Sequence, residues 1–128
     1  MINEETMPSE SEWIIMEVFW ESTVPLTSAA VIDRLQEKGS MTSKMVRVLL
    51  NRLCGKGLVS YTVDVRNRKV YHYFALKSRE ECQLEKSKRF ADSFFAGSRF
   101  EAAAMLLHGL PLSREQVAEL EGILKIHK

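Results

Sequence analysis

The pattern of apolar and polar positions predicts a mainly helical chain with one β-hairpin. Apolar residues recur at helical spacing over Ser9–Glu21, where Ser9 and Glu12 also have the spacing of a capping box. A second helix is predicted over Ala29–Lys38, ending at a glycine. Between the two helices, Leu26 is expected to start a short strand.

A third helix is predicted from Thr42, a good N-cap, to Gly57, a good stop. Helical spacing places one set of aliphatic residues on one side: Val46, Leu49, Leu50 and Leu53. The other side is mostly cationic or amide-bearing and consists of Lys44, Arg47, Val48, Asn51 and Arg52. Two helices joined by a short glycine-containing turn, the second with a basic face, indicate a helix-turn-helix.

After Gly57 the apolar period changes from helical spacing to alternation. Residues 58–65 and 70–76 are rich in β-branched and aromatic residues and predict two strands joined by a polar turn. Asn67 is expected to supply the positive φ that tight hairpin turns use. The order helix-helix-helix-strand-strand predicts a winged helix-turn-helix whose wing (64–70) carries Arg66, Arg68 and Lys69.

Three further helices are predicted after the hairpin: Arg79–Ala96, capped by Ser78; Arg99–Leu107; and a last one capped by Ser113, with Gln116 at the capping-box position. They make a poor core alone, so they must either fold back on the N-terminal domain or pair with a second copy of the chain. We expect self-pairing, because reading a palindromic site needs two heads held at a fixed spacing. The residues expected in this dimer interface are Phe90, Phe94, Phe95, Phe100, Ala103, Leu107, Val117, Leu120 and Leu124. The predicted organisation is a DNA-binding domain over residues 1–77 and a helical dimerisation domain over 78–128.

Charge is unevenly distributed although the net charge is only +1. Residues 1–21 hold six acids and no base, whereas residues 41–79 hold nine bases and one acid, Asp64. A polyanionic partner is therefore expected to bind within residues 41–79.

Residues able to carry catalysis or bind a metal are scattered. Cys54 and Cys82 lack CxxC spacing and are expected to be reduced core residues, and His72 is expected to be packed or half-exposed. Because no catalytic or phosphate-loop arrangement occurs, we expect no enzyme activity, no metal and no cofactor. The absence of an 18-residue apolar run and of an apolar signal core favours a cytoplasmic protein without a membrane span.

The basic helix (about 42–56) and the basic wing together predict binding to double-stranded DNA as a repressor on a palindromic operator. Arg47 and Asn51 are the expected base readers, since Arg can pair with guanine and Asn with adenine in the major groove. Ser43 and the helix N-terminus are expected to hold a phosphate. The complete set of expected DNA contacts is Thr42, Ser43, Lys44, Met45, Arg47, Val48, Asn51, Arg52, Arg66, Arg68 and Lys69.

Two alternatives fit the same pattern. The basic surface could meet an acidic protein, which would make the chain a winged-helix interaction module. Alternatively, phenylalanines of the C-terminal helices could line the effector pocket of a ligand-sensing repressor.

Five regions, by their order and spacing, match a known family: Ser9–Trp20, Lys44–Gly57, Tyr71–Tyr73, the region around Gly97, and Leu112–Gln116. Over about residues 8 to 125 the chain resembles the penicillinase-repressor family of BlaI/MecI-like regulators, which has copper-responsive CopY repressors as relatives. The resemblance implies a dimeric winged-helix repressor. Its C-terminal helices would interlock, and it would silence its operator until a signal arrives.

The chain departs from this family at three places. Met45 and Val48 stand where members commonly carry threonines that can hydrogen-bond to DNA; Met and Val can only touch a thymine methyl. Met105-Leu106 stands where antibiotic-responsive members are cleaved at Asn-Phe, so cleavage is not expected there. The chain end lacks the Cys-x-Cys pair of the copper-responsive members. A regulatory protease or a small-molecule effector therefore stays open as the inducing partner.

Overall fold

The computed structural model describes residues 6–39 and 41–126. Residues 1–5, Ser40 in the predicted connection between the second and third helices, and residues 127–128 lie outside the described ranges. The described elements are α1 (Glu10–Glu21), α2 (Ser28–Glu37), α3 (Ser43–Gly55), β1 (Val59–Val63), β2 (Tyr71–Ala75), α4 (Arg79–Phe94), α5 (Arg99–Leu107) and α6 (Arg114–Ile126). The predicted class, mainly α with a small β-hairpin, is confirmed.

The first three helices surround an aliphatic core. The predicted capping box starts α1: Ser9 Oγ accepts a hydrogen bond from Glu12 N, and Glu12 Oε1 accepts one from Ser9 N. Thr27 caps α2, and Gly39, at a φ of 66°, follows its end. The most deeply buried apolar side chains come from these three helices, from the root of the hairpin, from the segment before α1 and from the first turn of α4: Met7, Ile15, Met16, Val31, Leu35, Val46, Leu50, Leu53, Leu58, Val59 and Cys82.

Strands β1 and β2 pair antiparallel, with Val59 opposite Ala75 and Val63 opposite Tyr71. Leu26 adds the predicted short third strand as a single bridge to Tyr73, with two backbone hydrogen bonds of 2.9 and 2.7 Å. The root of the hairpin thereby joins the helical core, while its far end extends from it.

The start of α4 is attached to α1. Ser78 caps α4 as predicted: its Oγ accepts a hydrogen bond from Glu81 N, and its own amide donates one to Glu81 Oε1. Arg79 donates two hydrogen bonds of 3.0 Å to the Glu17 carboxylate and lies over the Trp20 ring. These contacts fix the first turn of α4 against the helical core.

The chain divides into two compact units, one up to Arg89 and one from Phe90, so the change occurs within α4. In the second unit, α4 ends at Phe94, earlier than the predicted Ala96, because Ala96 and Gly97 both adopt left-handed conformations with φ of 50° and 83°. The buried residues of this unit are small, Ala91 and Ala102, and its larger apolar side chains are mostly exposed. The predicted division of function between residues 1–77 and 78–128 stays a prediction.

Candidate nucleic-acid interface

Helix α3 is held in one rotational setting by its cap and its buried side. Thr42 Oγ1 accepts a hydrogen bond from Met45 N at 3.2 Å, as its position predicts, and Gly57 adopts a φ of 76° beyond the helix end. Val46, Leu49, Leu50 and Leu53 are all buried. Because this aliphatic side is fixed in the core, the opposite side must face outward.

The outward side of α3 combines cations, an amide and two apolar residues. The exposed residues are Lys44, Met45, Arg47, Val48, Asn51 and Arg52, with Thr42 at the start. Met45 is 49% exposed and Val48 42% exposed, although both are apolar. Ser43 is half-buried, and its Oγ accepts a weak hydrogen bond from Gln36 Nε2 at 3.5 Å. Arg and Asn side chains in such an arrangement can form paired hydrogen bonds to base edges, and Met and Val can contact methyl groups.

The wing loop is organised by an acidic side chain. Asp64 Oδ1 accepts hydrogen bonds from the backbone amides of Arg66 (2.7 Å) and Asn67 (3.3 Å). Asn67 Oδ1 accepts one from Lys69 N, and Val70 N donates to Asn67 O to close the turn. The prediction of a positive φ at Asn67 is wrong, since Ala96 is the only described non-glycine residue with one. Side-chain acceptors supply the reversal that a left-handed residue would otherwise provide.

Asp64 also meets His72 of β2, whose Nε2 lies 3.2 Å from Asp64 Oδ2. The pKa of Asp64 is lowered, mainly by the hydrogen bond from the Arg66 amide and next by the one from His72. His72 is half-exposed, as predicted. The only acid of residues 41–79 therefore faces the loop backbone and a histidine, while Arg66, Arg68 and Lys69 are exposed at the tip.

Two of the basic residues in 41–79, Lys56 and Arg79, form ion pairs that stabilise the fold, a role that the sequence did not indicate. Lys56 Nζ donates to Glu12 Oε1 at 2.6 Å and to Met7 O at 3.0 Å, and Arg79 binds Glu17. Burial raises the pKa of Glu12, but the hydrogen bond from Lys56, those from Ser9 and the Lys56 charge together leave this pKa lowered. No local sequence pattern indicates either pair, because Lys56 and Glu12 are 44 residues apart and Arg79 and Glu17 are 62 residues apart.

The residues predicted to mediate dimerisation lie from Phe90 onward, in the second compact unit. Phe94 is 74% exposed and Phe100 82% exposed. Phe90, Ala103, Leu107, Val117 and Leu124 are exposed as well, and Phe95 and Leu120 are half-buried. Ala102, which was not in the predicted set, is the buried residue of α5.

The described ranges contain no group of three or more His, Cys, Asp or Glu side chains placed to hold a metal ion. Cys54 and Cys82 are free thiols packed on or within the core, and burial raises the pKa of both. Among the described helices, none is long and apolar enough to cross a membrane.

A helix-turn-helix followed by a basic β-hairpin defines a winged helix-turn-helix protein. The profile of the Penicillinase repressor family matches residues 8–126, and the chain belongs to this family, whose members are transcriptional repressors and not enzymes. This agrees with the resemblance noted from the sequence.

Two relatives and one solved structure illustrate the similarity. The methicillin resistance regulatory protein MecI of Staphylococcus aureus is 24% identical over 116 residues, which are 91% of each chain. The penicillinase repressor of Bacillus licheniformis is 27% identical over 120 residues, which are 94% of this chain and 91% of the relative. The adhesin competence repressor AdcR of Streptococcus pyogenes shares the fold, with a TM-score of 0.50 at 10% identity over 98% of this chain and 81% of AdcR.

Proposed function

We propose that this protein is a homodimeric transcriptional repressor that binds a palindromic operator, with α3 in the major groove and the wing on the flanking backbone. The observation that supports it best is the outward side of α3, where four cationic or amide side chains are exposed on a helix fixed by its buried side. An α-helix with such a side fits the major groove.

Within this proposal, Arg47 and Asn51 read bases. Arg can bind guanine O6 and N7, and Asn can bind adenine N6 and N7, each good pair giving about 1–3 kcal/mol of discrimination. Lys44 and Arg52, on the same exposed side, enter or flank the groove. Met45 and Val48 contact thymine methyls.

The remaining contacts anchor the protein on phosphates. Thr42 and Ser43 stand at the α3 N-terminus, where free amides and the helix dipole favour an anion. Arg66, Arg68 and Lys69 add attraction that does not depend on base sequence. If each subunit neutralises about four phosphates, log affinity should fall against log salt with a slope of about −7 for the dimer.

Homodimerisation is supported by the second compact unit. It exposes three aromatic side chains, Phe90, Phe94 and Phe100, and several aliphatic ones, an unusual surface for a chain that stays monomeric. Their exposure also argues against the effector-pocket alternative within a single copy, because a pocket would enclose them. A dimer places two reading helices at a fixed distance, which a palindromic site requires.

The decisive experiment is selection of bound duplexes from a random DNA pool, followed by titration of the selected site at several salt concentrations. A two-fold symmetric consensus with half-sites about one helical turn apart, and a steep salt slope, would support the proposal. Failure to enrich any sequence, or a slope near zero, would contradict it and favour a protein partner instead.

A matched pair of variants tests the division of roles. Arg47→Ala should relax base preference at one position of each half-site, whereas Lys69→Ala should weaken all sequences alike and reduce the salt slope. Sedimentation of the wild-type protein, alone and with the selected duplex, measures the number of copies bound. Identical behaviour of the two variants would contradict the assignment of readers and anchors.

A further inference from the structure

One face of the hairpin carries a set of tyrosines that the proposed reading and anchoring residues do not include. The strand register places Tyr61, Val63, Tyr71 and Tyr73 on this face, and Thr62 and His72 on the other. At its root the tyrosine face belongs to the core, where Val59 is buried and Tyr73 packs. Tyr61, directly opposite Tyr73, is 43% exposed, and Tyr71, one pair farther along the hairpin, is 37% exposed.

The rings of Tyr61 and Tyr71 are ordered although neither residue is buried. Tyr61 and Tyr71 stack with their centroids 4.4 Å apart and their planes 9° from parallel, and Tyr73 contacts both at 5.7 and 6.2 Å. Stacking fixes the rings in advance, so binding a ligand through their hydroxyls would cost little side-chain entropy.

The tyrosine face also adjoins α3. Tyr73 and Cys54 of α3 pack on the same core, and the pKa of Tyr73 is raised first by burial and then by Cys54. At helical spacing Cys54 lies on the side of Arg47 and Asn51, which are seven and three residues earlier. Tyr61 and Tyr71 therefore lie along the hairpin between this side of α3 and the basic tip.

We propose that Tyr61 and Tyr71 form a phosphate-binding pair, whose hydroxyls donate hydrogen bonds to the DNA backbone between the reading helix and the wing tip. The inference rests on the proposed function and adds two binding residues to it. Charge complementarity indicates that the ligand is a nucleic-acid backbone. Exposed cations of α3 and of the wing tip flank the tyrosine pair on both sides, so a polyanionic strand that contacts both sets of cations runs along Tyr61 and Tyr71. Tyrosine hydroxyls are common donors to DNA phosphates, and neutral donors add contacts without adding charge.

The test compares wild type, the double variant Tyr61→Phe/Tyr71→Phe and the control Thr62→Val, each titrated with the selected duplex and with an unrelated duplex. Phenylalanine keeps the ring stack and removes only the hydroxyls, while Thr62→Val removes a hydroxyl from the opposite, exposed strand position. We expect the double variant to bind both duplexes about tenfold more weakly, with an unchanged salt slope because no charge is lost. Thr62→Val should bind as wild type.

A second measurement locates the contact. Replacing single backbone phosphates of the selected duplex by neutral methylphosphonates should identify positions that weaken wild type, and at least one should no longer affect the double variant. Single Tyr61→Phe and Tyr71→Phe variants provide the same readout if the double variant unfolds at a lower temperature.

Equal binding by wild type and the tyrosine variants, or an equal loss in Thr62→Val, would overturn the phosphate pair while leaving the repressor proposal intact. Failure of the wild-type protein itself to bind any duplex would overturn both. A loss restricted to the selected duplex would also overturn it, because it would indicate base contact.

Discussion

Lys56 and Glu12 form an ion pair of 2.6 Å that joins the end of α3 to the start of α1 across 44 residues of sequence. Glu12 is only 2% exposed, and its carboxylate also accepts the Ser9 amide that closes the α1 cap. One carboxylate thus stabilises a helix start and fixes the far end of the helix that we assign to DNA reading.

Replacing Lys56 by Met should lower the free energy of unfolding by about 3 kcal/mol, since it leaves a buried carboxylate without its cation. Urea unfolding followed by circular dichroism measures this. Lys88→Met is the matched control: Lys88 pairs with Glu85 at 3.6 Å, both side chains keep about a third of their surface in water, and this substitution should cost less than about 0.5 kcal/mol. Equal losses in the two variants would show that the Lys56 pair is not special.

Stability should depend on pH through Glu12. Its pKa is lowered below 4.5 in the folded protein, so its contribution is fully present above 4.5 and is lost as pH falls through the lowered folded value. Glu12→Gln should therefore be less stable than wild type at pH 7, and the gap should narrow on acidification below 4.5. Urea titrations from pH 7 to 3 measure the gap, and one that stays constant would refute the linkage.

Two substitutions of Asp64 should have opposite consequences for DNA affinity although both remove its charge. Asp64→Asn keeps an acceptor for the Arg66 and Asn67 amides and should bind the selected duplex at least as tightly as wild type. Asp64→Ala loses the acceptor, loosens the loop and should bind about tenfold more weakly than the Asn variant. Fluorescence anisotropy at fixed salt gives both affinities. If the two variants bind equally, charge and not loop shape governs the wing.

Uracil substitution tests the assignment of Met45 and Val48 as methyl contacts. Removing one thymine methyl that is buried against either residue should weaken binding by about 0.8 kcal/mol, or roughly fourfold. Replacing the thymines of the selected site one at a time measures the loss at each position. Val48→Ala should abolish the sensitivity at one position only. If no uracil substitution in the selected site weakens binding, the proposed methyl contacts of Met45 and Val48 are wrong.

Most of the fold could be predicted from the sequence because its signals are local. Capping pairs such as Ser9–Glu12 and Ser113–Gln116 span three residues, and both form as predicted. The rotational setting of α3 followed from its aliphatic spacing for the same reason. The helices and strands therefore lie close to their predicted positions, apart from the end of α4.

Interactions between distant segments could not be predicted in this way. The Lys56–Glu12 pair assigns a cation of the basic segment to stability, and nothing near either residue indicates it. The Tyr61–Tyr71 stack depends on the strand register, which the sequence did not fix. Asp64 is different, because an Asp beside a polar turn is a known loop organiser. Its carboxylate shapes the loop, so Asn67 does not need the positive φ that its residue type favours.

The wing loop encodes its shape and its charge in different residues. Asp64 and Asn67 hold the loop through side-chain acceptors, and within it Arg66 and Lys69 contribute backbone amides, leaving their side chains at the exposed tip. Cations at the tip can therefore be exchanged one at a time without rebuilding the hairpin. In evolution, substitutions of these cations can therefore change the residence time of such a repressor on its DNA site while the fold of the wing stays the same.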